Sequence, residues 1–353
     1  MAVALSLAAC AAIAGDGLYV WQEAVAMTDG RPEAGVPDAE AQERLLRLCR
    51  EGPLDVRRLY FFADPAAWDV GSLRSFLASA RGRGIEVYAV PAGAIQDAWV
   101  RPFRLLRRCD HEVVLAWVQA ILDFDRSGGE ARFAGIQLDI EPHGARSRDL
   151  LFRYRAVWRA GRGGLRDDRR NRKLAGEYLA LLDRVRARLS DAEPRHALAV
   201  TLPTWLDRDD DGESYVLRYA GAEKTLIHHV QDRVDFVTLM NYLDGSDQAG
   251  SRHAWEDIAD EVRYGPTESL FETSPPDPKG RALLPFETLY EEGEIGLVSL
   301  ARKVESAAAG QTHFLGSAAH YYLHAIGGGA PGWPRHEPEP AAGAAQTGQM
   351  QGR

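Results

Sequence analysis

Residues 133–143 read Phe133-Ala134-Gly135-Ile136-Gln137-Leu138-Asp139-Ile140-Glu141-Pro142-His143. A short aliphatic run closed by a proline is the pattern of a strand, predicted here over Phe133–Glu141. Strand side chains alternate faces, so Ile136, Leu138 and Ile140 share one side and Gln137, Asp139 and Glu141 the other. Working outward, seven similar runs appear: Gly17–Trp21, Arg58–Ala63, Glu86–Pro91, Ala197–Leu202, Phe236–Tyr242, Ala282–Thr288 and Phe314–Tyr321. The segments between them carry helical spacing, as in Leu73, Phe76, Leu77, Ala80, then Val114, Trp117, Val118, Ile121, then Leu181, Leu182, Val185, Leu189. Asp38 and Asp69 stand where helix caps are expected. Eight strand–helix alternations without internal duplication predict a (β/α)8 TIM barrel rather than an open doubly wound sheet. No G-x-G-x-x-G turn follows the first strand, which argues against dinucleotide binding.

In such a barrel the C-terminal strand ends carry the chemistry. The apolar face of the fourth strand suits the surrounding helices, so Gln137, Asp139 and Glu141 are expected to face inward and rise toward the mouth. Polar groups buried there need partners, since each costs several kcal/mol without one, so a hydrogen-bonded network is expected. Asp139 beneath Glu141 is also an arrangement that drives two pKa values apart and leaves one carboxyl protonated, able to act as an acid.

This strand resembles the strand-four signature D-G-x-D-x-D-x-E of family 18 glycoside hydrolases, the chitinases and endo-β-N-acetylglucosaminidases. Gly135, Asp139 and Glu141 match it, while Ala134 and Gln137 replace two of its acids. Met240-Asn241-Tyr242 resembles that family's strand-six M-x-Y element, and the family's strand-eight Trp is here His320 or Tyr321. The resemblance implies Glu141 as general acid/base, Asp139 orienting a substrate 2-acetamido group, and Tyr242 hydrogen-bonding a cyclised intermediate.

Ala282–Thr288, read as strand seven, ends in Glu287, with Glu291 and Glu292 close behind. Together with Glu141-Pro142 this is similar to clan A retaining glycosidases, which place an N-E-P acid/base after strand four and a nucleophilic Glu after strand seven. Ile140 stands where that motif has Asn. A retaining pair needs its carboxyl groups ~5 Å apart and an inverting pair roughly 6.5–9.5 Å, room enough for a water. Glu287 is thus expected to be a second catalytic carboxylate, a substrate contact, or a solvated loop acid.

Sugar rings stack on aromatic faces, and their hydroxyls take planar polar partners. Trp21, Glu23, Trp205, Met240, His320 and Tyr321 lie at or just past expected strand ends and are candidate substrate contacts alongside Gln137. Asp64 is either another contact or the cap of a turn at Pro65. Asp207, Asp209 and Asp211 before Gly212 imitate a calcium loop, but its twelfth position is Arg218 rather than Glu, so a solvated acidic loop is the reading. The Arg-rich stretch 146–172 is expected to extend the mouth. No H-x-H follows strand one, and His228-His229 falls in a helical pattern, so neither a metal nor any other cofactor is expected. No G-x-S-x-G element stands out either.

The chain has 353 residues, 42 Lys+Arg against 51 Asp+Glu, and a formal net charge of −9. That acidity argues against a nucleic-acid partner, whose footprint would be basic. No apolar run reaches the ~20 residues of a membrane span. Residues 1–15 open with a charge-free apolar lead in which Leu7-Ala8-Ala9-Cys10 resembles a lipobox, implying export and a lipid anchor at Cys10. An oxidising compartment would allow Cys49 and Cys109 to pair, although two thiols specify nothing alone. Residues 16–326 are expected to form the barrel, and the Gly/Pro/Ala-rich 327–353 a flexible tail. The expectation is a monomeric, exported glycosidase acting on an oligo- or polysaccharide. The alternative is a barrel that binds carbohydrate without turnover, as chitinase-like lectins do, and the replaced acids at 134 and 137 favour it.

Overall fold

In a computed structural model of the chain, the residues described are 16–20, 39–51, 55–91, 111–140, 169–203, 216–240, 268–273, 305–306 and 314–319. In chain order they form β1 (Asp16–Val20), α1 (Ala39–Glu51), β2 (Val56–Ala63), a 3-10 turn (Pro65–Ala67), α2 (Val70–Gly82), β3 (Glu86–Pro91) and α3 (His111–Arg126). Then follow β4 (Gly135–Leu138), α4 (Arg169–Ser190), β5 (Ala197–Pro203), β6 (Val216–Tyr219), β7 (Ala222–Thr225), α5 (Leu226–Gln231), β8 (Phe236–Met240), β9 (Glu268–Thr273) and β10 (Phe314–Ala319).

Eight of these strands close on themselves in the order β1-β2-β3-β4-β5-β8-β9-β10, all parallel, with β10 paired back to β1. Parallel neighbours need a crossover, and the helices supply it, giving a (β/α)8 barrel. β6 and β7 stand apart as an antiparallel hairpin inserted after the fifth barrel strand. The hairpin turns on Ala220 and Gly221, whose φ values of 49° and 86° match a two-residue type I′ turn.

The helix reading from spacing holds in detail for α2: its buried residues are Leu73, Phe76, Leu77 and Ala80, and Asp69 caps it by accepting from the Ser72 amide at 3.1 Å. Those side chains join Leu59 and Phe61 of β2 and Val87 of β3 in the outer core, each large one contributing about 1.5–3 kcal/mol by leaving water. Asp38 lies outside the described residues.

One expectation is corrected. The seventh barrel strand is β9, Glu268–Thr273, and not Ala282–Thr288, which lies outside the described residues. β9 fills the one place between β8 and β10, so no vacancy remains for a second candidate. Glu287 lies outside the described residues.

A second core fills the barrel itself: Tyr19, Tyr60, Phe62, Tyr88, Val90, Ala199, Phe236, Leu315 and Ala318. Tyr19 and Tyr60 lie 4.6 Å apart by ring centroid, Tyr60 and Tyr88 5.9 Å, and Tyr88 and Phe236 5.3 Å edge-on. Below them the wholly buried Arg58 sits on a rung with Gly17 and Glu86, its guanidinium 5.7 Å from the Phe236 ring centre. Tyr88 donates to Glu86 at 3.1 Å. Burial, and secondarily the Glu86 charge, hold the Tyr88 phenol well above its ordinary pKa, with Arg58 opposing. Space between these rings is made by glycine: a Cβ on Gly17 would come 2.8 Å from the Tyr60 ring.

At the same lower pole Asp125, at the end of α3, bonds His196 at 2.7 Å and accepts the Phe133 amide at 3.1 Å, all buried. That contact fastens the entrances of β4 and β5 to a helix. Cys49 is a buried free thiol of α1. Burial pushes it from 9.0 up to about 12, so the stability it lends is complete below pH 9.0 and is lost as pH rises toward 12. Iodoacetamide at mildly alkaline pH should leave Cys49 unmodified in the folded protein and label it after guanidinium unfolding, as read by peptide mass spectrometry.

Candidate active site

The C-terminal end of β4 is where sequence and structure meet. Ile136, Leu138 and Ile140 lie in the outer core with the helices. Gln137, between them, is inside the barrel, its amide nitrogen donating to the Tyr19 hydroxyl of β1 and, at 2.8 Å, to the Thr201 hydroxyl of β5. Tyr19 and Thr201 are themselves 3.4 Å apart. All three are buried, so strands from opposite walls meet in one polar centre, and the network expected of Gln137 exists. Asp139 follows at the next inward position and is 6% exposed. Tyr178 of α4, fully buried, feels it: burial first, and the Asp139 charge second, raise the Tyr178 phenol well above its usual range.

Two further atoms mark this centre. Gln137 Oε1 and Thr238 Oγ1 of β8 are buried and have no hydrogen-bond partner among the described residues. A buried polar atom left in this way costs about 1–3 kcal/mol.

Asp64 accepts from the Ala66 amide at 3.0 Å and caps the 3-10 turn, the second of the two roles read for it. Met240 is the last residue of β8, at the mouth end of the sixth barrel strand. Glu141, Tyr242, Glu287, Trp21, Glu23, Trp205, His320 and Tyr321 lie outside the described residues. His229 is buried in α5 and bonds the Leu217 carbonyl at 3.0 Å, a packing role for one of the paired histidines. Among the described residues no group of three His, Cys, Asp or Glu is placed to hold a metal ion. No described helix is long and apolar enough to cross a membrane.

One carboxylate passed over in the sequence belongs to the same end of the barrel. Glu272 lies on β9, on the rung of Met240 and Pro203. Its signal is the short run Leu270-Phe271-Glu272-Thr273, with an acid one residue before the end of the strand.

The topology alone defines the class: a closed, eight-stranded parallel α/β barrel with a polar centre beneath its C-terminal mouth. Solved structures similar to it include a chitinase from Rhizomucor miehei, at 16% identity and a TM-score of 0.47, covering 88% of this chain and 95% of that one. An endo-1,4-beta-mannanase from Eisenia fetida is similar at 13% identity and a TM-score of 0.47, covering 90% and 86%. A family 1 β-glucosidase from Thermotoga maritima is similar at 10% and 0.45, covering 87% and 88%. These are likenesses of fold. No protein-family model matches the chain, and no curated protein matches it in sequence.

Proposed function

We propose that this barrel is a glycoside hydrolase whose proton donor is Glu141, two residues beyond Asp139. The observation that carries the reading is Asp139 itself, a buried carboxylate one residue past the C-terminal end of β4 and two residues on from Gln137 and its hydrogen-bonded polar centre. Acids at such strand ends are where barrel enzymes do chemistry. In this reading Glu141 protonates the leaving oxygen of a glycosidic bond. Asp139 and Tyr242 hold the substrate, as the family 18 resemblance implies, and Trp21, Glu23, Trp205, Met240, His320 and Tyr321 line its path. Glu287 is a second catalytic carboxylate or a contact to the sugar. The site needs no cofactor, the protein works as a monomer, and export with a lipid anchor at Cys10 would place it near extracellular polysaccharide.

One observation favours a second reading. Gln137 fills an acid position of the family 18 signature with a neutral amide that is already committed to Tyr19 and Thr201. A barrel that binds sugar without turnover accounts for that exchange. The two readings separate on a panel of aryl glycosides, chitin oligomers and β-linked polysaccharides, assayed for released reducing ends and, in parallel, by titration calorimetry. Turnover is expected. Heat of binding with no released sugar would establish the lectin-like reading instead.

A further inference from the structure

The stagger of the barrel can be followed through its register. From Tyr60 the rung runs through Tyr88 to Gly135, and two residues on is Gln137. From Gln137 it runs through Ala199 to Phe236, and two residues on is Thr238. From Thr238 it runs through Leu270 to Gly316, and two residues on is Ala318. From Ala318 it runs through Gly17 to Arg58, and two residues on is Tyr60 again. Four climbs of two residues close the circuit, the shear of about 8 that such a barrel carries. The same climb taken four strands from Tyr19 gives Thr201, whose hydroxyl the Tyr19 hydroxyl does meet. Tyr60, Gln137, Thr238 and Ala318 are thus one layer of the interior, a side chain from each alternate strand, and all four are wholly buried.

Within this layer the Gln137 amide nitrogen commits both hydrogens upward, to the hydroxyls of Tyr19 and Thr201. Its oxygen Oε1 and Thr238 Oγ1 have no hydrogen-bond partner among the described residues. Thr238 faces inward, because Val237 and Leu239 on either side of it lie in the outer core and Phe236 in the inner one. β5 runs between β4 and β8 and brings only the small Ala199 below this level and Thr201 above it. The large member of the layer is turned elsewhere: the Tyr60 ring lies against Gly17, its centre 4.6 Å from that of Tyr19. We propose that one buried water molecule occupies the sector between Gln137 and Thr238, donating to Gln137 Oε1 and hydrogen-bonded to Thr238 Oγ1. Both atoms are neutral, one can only accept and the other can do either, so the ligand they suit is uncharged and carries a donor. A small polar site enclosed by the core, with two such partners, is where an internal water belongs. Bound there, the water also fixes which way the amide faces, holding its nitrogen end on Tyr19 and Thr201. The proposal stands apart from the glycosidase reading.

Thr238→Val in the full chain tests this by the sign of its effect, since it keeps the shape of the side chain and removes only the hydroxyl. With the water in place, the variant takes away one of its partners and leaves Gln137 Oε1 poorly satisfied, so the urea midpoint should fall. In a dry centre the same change removes an unsatisfied buried hydroxyl, and the midpoint should stay or rise. A midpoint that stays or rises overturns the proposal. The direct measurement is a crystal structure of the wild type at a resolution that shows ordered waters. A water within about 2.7–3.2 Å of both Gln137 Oε1 and Thr238 Oγ1 is expected. A protein side chain between them, or no density at all, overturns the proposal whatever the midpoint does. If Thr238→Val does not fold, the wild-type density decides alone. Neither readout involves turnover, so a protein inactive on every glycoside would overturn the glycosidase reading and leave this proposal to its own test.

Discussion

Turnover of an aryl glycoside by Glu141→Gln should fall by about 10²–10⁴-fold, the usual worth of a positioned proton donor. The substitution keeps the shape of the side chain and removes only its ability to give a proton, so binding should survive within a few-fold. The loss should also depend on the leaving group. A nitrophenolate departs without protonation, so activated substrates should lose least and natural glycosides most. Measuring kcat across a series of aryl leaving groups checks this: a loss of the same size for every member would mean that Glu141 acts in binding or folding and not as the acid. Asp139, two residues earlier in the chain, is itself buried.

The second large effect concerns stability. A Cβ built on Gly135 would lie 2.4 Å from the Ala197 carbonyl oxygen and 2.9 Å from the Tyr88 ring. Gly135 and Ala197 are rung partners in β4 and β5, so the clash is with the backbone of the neighbouring strand and cannot be relieved by turning a side chain. Gly135→Ala should therefore cost about 3 kcal/mol, at the upper end of overpacking, by prising β4 from β5. Gln137 is two residues on, and its bond to Thr201 spans the same pair of strands, so surviving activity should drop as well. Gly176 is the matched control: it lies in α4, nothing stands within 4 Å of its would-be Cβ, and Gly176→Ala should raise stability by about 0.5–1 kcal/mol. Denaturant midpoints of both variants check the pair. Two changes of like sign would mean that helix propensity or packing has been misjudged at one of them.

Much of this architecture was legible before any coordinates. Glu86–Pro91 was bounded at both ends, because a polar first residue and a terminal proline bracket a run buried on both sides. The amphipathic spacing of α2, α3 and α4 gave their buried faces for the same reason. Strand seven was misplaced because β9 has only two large apolar residues, Leu270 and Phe271, and they are adjacent. So short an apolar run gives little hydrophobic signal, and the denser Ala282–Phe286 run outcompeted it. The β6–β7 hairpin was missed because Ala220 takes the left-handed turn position usually held by Asn or Gly. Its attachment is also lateral and polar: Tyr219 donates to Asp183 of α4 at 2.8 Å, and the Arg233 guanidinium lies 4.8 Å over its ring. For the site, parity along β4 gave the inward placement of Gln137. The partnership of Tyr19 with Thr201 was out of reach, because it depends on stagger summed over four strands.

The stacked rings of Tyr19, Tyr60, Tyr88 and Phe236, with Arg58 beneath them, have a consequence for traffic. They stopper the cylinder, so it is a cup and not a pipe. Whatever ligand arrives at the rim has to leave over the same rim. Any exchange of molecules at the rim is then one-sided, with entry and departure sharing a single opening.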